Sequence, residues 1–197
     1  MRAVSLTISQ RVGRMQSSGY SVSETLRNGT IVTIRAARSD DGPKIRRAFQ
    51  LLGRDTIYSR FFGYRTDLSE TELTRLTQLN WDASVTLAVT VGAGEDERIV
   101  GGGSYIMLEP GRPEAGAEVA FTVEEDFHGR GVATALLRHL IGIARANGVG
   151  RLEADVLARN LPMLSVFRRC GLPVTTRQSG DVVHVTMPVP QLPAVNT

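Results

Sequence analysis

Residues 117–141 read AEVAFTVEEDFHGRGVATALLRHLI, and the fold turns on how this stretch divides. Ala117 to Val123 has the β-rich character of a strand, EEDFH is a short acidic link, and Gly129 and Gly131 punctuate a turn. From Gly131 to Asn147 the apolar residues Val132, Leu136, Leu137, Leu140, Ile141 and Ala144 recur on one helical face, and Asn147-Gly148 supplies the stop. Glycines at the turn allow positive φ and close approach, so successive N–H groups and the positive end of the helix can face an anion such as a pyrophosphate without a basic side chain. Two other phosphate-binding readings fail on position. The dinucleotide fingerprint G-x-G-x-x-G would need its first glycine directly after the strand and a third where Thr134 stands, although Glu153 lies roughly where a ribose acid would. A P-loop would need Gly-Lys-Ser/Thr, which does not follow.

Downstream, Arg151 to Leu157 reads as a strand and Leu161 to Cys170 as a helix with Pro162 in its first turn and Gly171 as its cap. Leu172 to Thr176 and Val182 to Met187 read as two strands around the turn QSGD. Upstream, TIVTIRA (30–36) is a strand after the turn dipeptide Asn28-Gly29. Helical stretches follow around Ile45 to Leu52, Asp55 to Phe62, and from Ser69, where Ser69 and Glu72 form a capping-box pattern. SVTLAVTV (84–91) and IVGGGSYIML (99–108) form an antiparallel hairpin, with a bulge expected at Gly101 to Gly103. Residues 1–26 show no sustained period and read as a flexible N-terminal arm, with a short helix at its start left open. The domain is expected over 27–188 and an extended C-terminal tail over 189–197. The elements predict an α/β domain with a mixed, mostly antiparallel seven-stranded sheet and helices on both faces.

The chain has 197 residues, 42% hydrophobic and 22% charged, which fits one globular domain and excludes collagen-like, coiled-coil and disordered classes. No run approaches the ~20 apolar residues of a membrane span, and no secretory signal is visible, so the expectation is cytoplasmic with no membrane partner. The net charge of +3 is spread along the chain, against nucleic acid as a partner. Lys44 is the only lysine, so the positive surface is almost all arginine. One cysteine, Cys170, and no Cys/His cluster leave no disulfide and predict no metal.

His128-Gly129-Arg130-Gly131-Val132-Ala133 resembles the Arg/Gln-x-x-Gly-x-Gly/Ala pyrophosphate loop of the GNAT family of N-acetyltransferases, with a departure at its first position. YSRFFG (58–63), LSETELTRLTQLNWD (68–82) and LARNLPMLSVFRRCGL (157–172) resemble the acetyltransferase domain of bacterial Pat-type protein lysine acetyltransferases, and the likeness covers roughly 28–188. In that group the domain is often joined to a synthetase-like portion or a cyclic-nucleotide-binding domain; 197 residues leave room for neither, so a stand-alone or excised catalytic domain is expected. The resemblance implies acetyl-CoA as the acyl donor, bound in a cleft between the fourth and fifth strands (117–123 and 151–157), and a protein substrate such as an acyl-CoA synthetase. Backbone groups of Phe121 and Val123 are expected along the pantetheine arm, and His128, Gly129, Arg130, Gly131, Ala133 and Thr134 around the pyrophosphate. Asn160 is expected at the arm too, as well as at a helix N-cap, with Phe167 where many members carry a tyrosine that protonates the thiolate.

A lysine amine with pKa near 10.4 is mostly protonated at neutral pH, so attack on a thioester needs a base. Glu118 is that base by resemblance; the alternative is an outward-facing strand carboxylate. Glu124, Glu125 and Asp126 read first as a solvated turn, Ser165 as a weak substitute acid, and Cys170 as a poor candidate for an acyl-enzyme because no histidine is paired with it in sequence. Phe61, Phe62, Tyr64 and Trp81 read as mostly core, Arg60 and Arg65 as conceivable contacts to substrate acids, and His139 and His184 as structural. Two further functions stay open: acetylation of a small amine or a protein N-terminus, and acyl-CoA sensing without catalysis. Oligomeric state is not readable.

Overall fold

The computed structural model describes residues 19–78, 80–109 and 111–191. Its strands are β1 (Ser21–Thr25), β2 (Ile31–Ala36), β3 (Ser84–Val91), β4 (Arg98–Met107), β5 (Ala117–Val123), β6 (Arg151–Leu157), β7 (Thr175–Ser179) and β8 (Val182–Pro188). Its helices are α1 (Gly42–Gln50), α2 (Arg54–Phe61), α3 (Glu70–Thr77), α4 (Val132–Ala146) and α5 (Leu161–Arg168). One sheet runs β1-β2-β3-β4-β5-β6-β8-β7, antiparallel throughout except between β5 and β6. That parallel step requires a crossover, and α4 provides it.

The mixed α/β architecture is as the sequence predicts, but the sheet has eight strands where seven were expected. The additional one is β1, inside the segment read as an arm. Its sequence, SVSET, carries one apolar residue and lies at a sheet edge, so neither period nor hydrophobicity reveals it. Long-range contacts hold it. Five residue pairs join it to β2 across the Asn28-Gly29 turn, where Gly29 has φ 83°. Tyr20 and Leu26 are buried at its two ends. Tyr20 also donates its hydroxyl hydrogen to Nδ1 of buried His139 on α4, whose Nε2–H reaches Glu24 at 2.9 Å. Burial pushes the Tyr20 hydroxyl up to about 12 and His139 down from its ordinary value, which keeps this imidazole neutral. The short helix left open at the start of the arm, and the tail beyond Gln191, lie outside the described residues.

The α4 face read from the sequence is the core face, with Val132, Leu136, Leu137, Leu140, Ile141 and Ala144 all buried against the sheet. Each fully buried Leu or Ile contributes about 1.5–3 kcal/mol. A smaller cluster of Phe49, Ile57, Leu68 and Leu73 holds α1, α2 and α3 together. The capping box is present: Glu72 N–H donates to Ser69 Oγ at 3.3 Å, and Ser69 N–H donates to Glu72 Oε2 at 2.8 Å. The bulge falls one residue before the glycine run, at Val100: Val89 pairs with Gly101 but Thr90 pairs with Ile99, while Gly101 to Gly103 keep regular register. Gly103 meets a different need, since a Cβ there would lie 2.8 Å from the Phe121 ring. Trp81 packs on the main core and Phe61 on Phe49, but Phe62 and Tyr64 are exposed rather than core. Helical spacing could not tell a cleft-facing ring from a core one. No helix among the described residues is long and apolar enough to cross a membrane.

Candidate active site

Strand β5 pairs with β4 through seven residue pairs but with β6 through only two, Ala117 with Leu152 and Glu118 with Glu153. Beyond Glu118 the strands part, because β6 follows β8 over its full length, Arg151 to Leu157. The β6-facing backbone of β5 is therefore left without a strand partner, an edge suited to an extended ligand that pairs like an added strand. A cleft of about 830 Å³ opens there, walled by α2, β5, the glycine turn, the start of α4, β6 and α5.

One end of the cleft has the form expected of an anion seat. Gly129 and Gly131 have φ 71° and 97°, as the turn was expected to require. The first intrahelical bond of α4 runs from Ala135 N–H to Gly131 O, and no side chain caps the helix. The N–H groups of Val132, Ala133 and Thr134 thus lack helical partners and point from the positive end of the helix. Arg27 lines the same end, placed by its own N–H bond to Arg130 O at 3.2 Å. Sequence reading missed Arg27 because it belongs to the β1–β2 hairpin, far away in the chain.

His128 explains the departure at the loop's first position. Its Nε2–H donates to Val123 O at 2.8 Å, tying the turn to the end of β5. The Val123 carbonyl, expected along the pantetheine arm, is therefore engaged by the protein itself. A neutral hydrogen bond of this kind is worth about 1 kcal/mol, so His128→Ala is expected to weaken acetyl-CoA binding about fivefold in a calorimetric titration. His128→Gln, which keeps a donor, should recover most of that affinity; equal affinity in all three proteins would make the bond irrelevant to the loop.

The cleft gathers Glu118, Phe121, Val123, His128, Gly129, Gly131, Ala133, Thr134, Asn160 and Phe167. Arg130 is the exception, with its guanidinium stacked 5.0 Å from the Phe127 ring and off the cleft wall. Asn160 is the N-cap of α5, accepting from Met163 N–H at 3.2 Å, and it lines the cleft as well. Phe121 and Phe167 pack with ring centroids 6.0 Å apart, and both line the cleft. Ser165 lines the cleft, whereas Cys170 does not; its thiol points at Met187 Sδ, 3.8 Å away.

At the opposite end, Glu118 is exposed on the face of β5 toward α2, and Ser59, Arg60 and Phe62 of the α2 segment line the cleft with it. The acidic link is more than a solvated turn. Glu124 pairs with Arg98 at 2.8 Å, and Glu125 accepts from Gly53 N–H at 2.7 Å, which pins the start of α2 against the cleft. Burial raises the Glu125 carboxyl, but the hydrogen bonds from Thr56 and Gly53 outweigh it and hold the group below its ordinary value. No group of three or more His, Cys, Asp or Glu among the described residues is arranged to hold a metal ion.

The model of the acetyltransferase (GNAT) family matches residues 54–172. An acetyltransferase of Pseudomonas aeruginosa is 30% identical over 162 residues, covering 82% of this chain and 85% of its own. The acetyltransferase Pat of Mycolicibacterium smegmatis is 40% identical over 79 residues, which is 40% of this chain and only 23% of that longer protein. Among solved structures, the GNAT domain of S. lividans PAT superposes with a TM-score of 0.78 at 29% identity, covering 85% of this chain and 96% of that one.

Proposed function

Because the chain belongs to the acetyltransferase (GNAT) family, we propose that it moves the acetyl group of acetyl-CoA onto a protein lysine side chain, with an acyl-CoA synthetase as the protein acceptor. One observation carries the reading. The unpaired edge of β5 runs from a carboxylate, Glu118, to an open helix N-terminus at Val132 to Thr134. Five strand steps separate Glu118 from Val123, about 17 Å at the rise of an extended chain. The diphosphate occupies the helix end, the pantetheine arm pairs along β5, and the thioester reaches Glu118.

There Glu118 removes the proton of the incoming ammonium, directly or through a water, and the free amine attacks the thioester carbonyl carbon. Backbone N–H groups at the β5–β6 opening polarise the carbonyl and stabilise the oxyanion. The nitrogen of the tetrahedral intermediate gives its second proton to water, the C–S bond breaks as the amide forms, and the thiolate takes a proton from water or from the Ser165 hydroxyl, since Phe167 has none to give. The likeness to the GNAT domain of S. lividans PAT supports the lysine acceptor.

The test is transfer from labelled acetyl-CoA to purified acetyl-CoA synthetase, beside a panel of small amines and N-terminal peptides. Label on a synthetase lysine is the expected result. Label only on small amines or N-termini would move the acceptor class. A thermal shift with acetyl-CoA but no label on anything would make the domain a sensor.

A further inference from the structure

Arg60 sits in the last turn of α2, lines the cleft beside Glu118, and forms no hydrogen bond or ion pair among the described residues. Several other arginines have carboxylate partners. Arg35 holds Asp41 and Glu97, Arg46 holds Glu70, and Arg151 holds Glu153. Of the two carboxylates whose field reaches Arg60, Glu72 is already taken, accepting two bonds from Arg65, at 2.5 and 3.0 Å, and two from Ser69, and Glu118 stands beside Arg60 without a hydrogen bond or ion pair to it. Arg60 has only the Phe61 ring, 5.0 Å from its guanidinium carbon, and the longer-range field of Glu118. Burial pushes its guanidinium below the ordinary arginine value, with Glu118 and Glu72 opposing and Arg65 adding to the effect. A half-buried guanidinium whose donors no protein group takes is free to bind an anion that enters the cleft.

We propose that Arg60 is the seat for a carboxylate at the reacting end of the cleft, carried by a dicarboxylic acyl group on coenzyme A or by the acceptor beside its amine. The proposal rests on the reading that thioester and amine meet at Glu118. The diphosphate is not that anion, because its seat at the start of α4 lies at the other end of β5. The acceptor ammonium is not the partner either, because it has the same sign as Arg60. A guanidinium fork matches a carboxylate with two parallel N–H bonds, a geometry a lysine cannot reproduce.

Both sources are tested with the full chain, as wild type, Arg60→Gln and Arg60→Lys. In the donor arm, succinyl-CoA is titrated by calorimetry against butyryl-CoA, which has the same chain length without the terminal carboxylate. In the acceptor arm, kcat/KM for acetyl transfer is compared between lysine peptides that differ only by Glu or Gln beside the target. Hydrogen bonds to a charged group imply a preference of about tenfold or more for the carboxylate in one arm. Arg60→Gln should abolish that preference and Arg60→Lys should restore it only in part. Arg60→Gln should also unfold no earlier than wild type, since it removes an unpartnered cation, so loss of preference is not loss of fold. No preference in either arm, or a preference that survives Arg60→Gln, overturns the proposal while acetyl transfer stands. Failure of the wild type to bind any of these thioesters overturns the acyltransferase reading and this proposal together.

Discussion

Glu118→Gln is expected to lower kcat/KM for acetyl transfer by about 10²–10⁴-fold, the usual contribution of a positioned general base. The substitution keeps size and hydrogen-bonding capacity but removes the ability to take a proton. Glu118 is exposed on the α2-facing side of β5 and not in the core, so the fold should be untouched and the thermal shift with acetyl-CoA retained. The pH dependence separates a base from a merely polar contact. Replacing a base changes the shape of the pH–rate profile, whereas losing a merely polar contact lowers the rate alike at every pH. Glu153, the register partner of Glu118 across the two-pair ladder, is the internal control. It is held by Arg151 at 2.5 Å, so Glu153→Gln is expected to change the rate far less. Full activity in Glu118→Gln would mean that the amine loses its proton to solvent and that Glu118 is a bystander.

Asp41→Ala is expected to destabilise the protein by about 3 kcal/mol, because it removes the carboxylate that spans the buried Arg35 guanidinium and leaves Glu97 alone to balance its charge. Arg35 and Asp41 are 2% and 1% exposed, and Arg35 spans the carboxylate with bonds of 2.7 and 2.8 Å. Arg35 also donates to Glu97 at 2.8 Å, Lys44 reaches the same Glu97 oxygen at 2.7 Å, and Arg38 N–H caps Asp41 at 2.7 Å. The cluster joins β2, the start of α1 and the start of β4, so its loss loosens one whole side of the sheet. Urea unfolding measures the effect, and a change within 1 kcal/mol would show that water enters and rescues the charge.

The same cluster predicts acid lability. Hydrogen bonds from Arg35 hold Glu97 at about 2, and for Asp41 burial raises the carboxyl but the Arg35 bonds outweigh it. Both groups ionise more readily in the folded chain. Their stabilisation is therefore complete above the unfolded carboxylate range of about 4–4.5 and is lost as pH falls from there toward 2. Glu97→Gln should flatten that part of the stability curve.

Much of the binding end was legible because its determinants are local. Gly129 and Gly131 require positive φ wherever they sit, and the α4 periodicity names its own buried face. Asn160 before Leu161-Pro162 marks a helix start in any context. The reacting end was legible only by resemblance. Nothing in the spacing of Glu118 distinguishes a base at a strand opening from a carboxylate on a solvated face. Arg130, adjacent to both glycines and expected with the diphosphate, has its guanidinium 5.0 Å from the Phe127 ring, a contact that its place between the glycines does not specify. An adjacent number does not determine a direction.

The sequence by itself determined the strand, glycine turn and helix that make an anion seat, since these follow from backbone sterics and side-chain period within a few residues. Only the tertiary structure decided that SVSET is a strand, that Arg27 joins the seat, that β5 and β6 part after two pairs, and that Arg60 lies without a carboxylate while Arg65 has Glu72. Each of these depends on which distant segments meet. Edge pairing, strand divergence and the sharing of carboxylates among arginines are properties of contacts between elements, and no window of local sequence contains them.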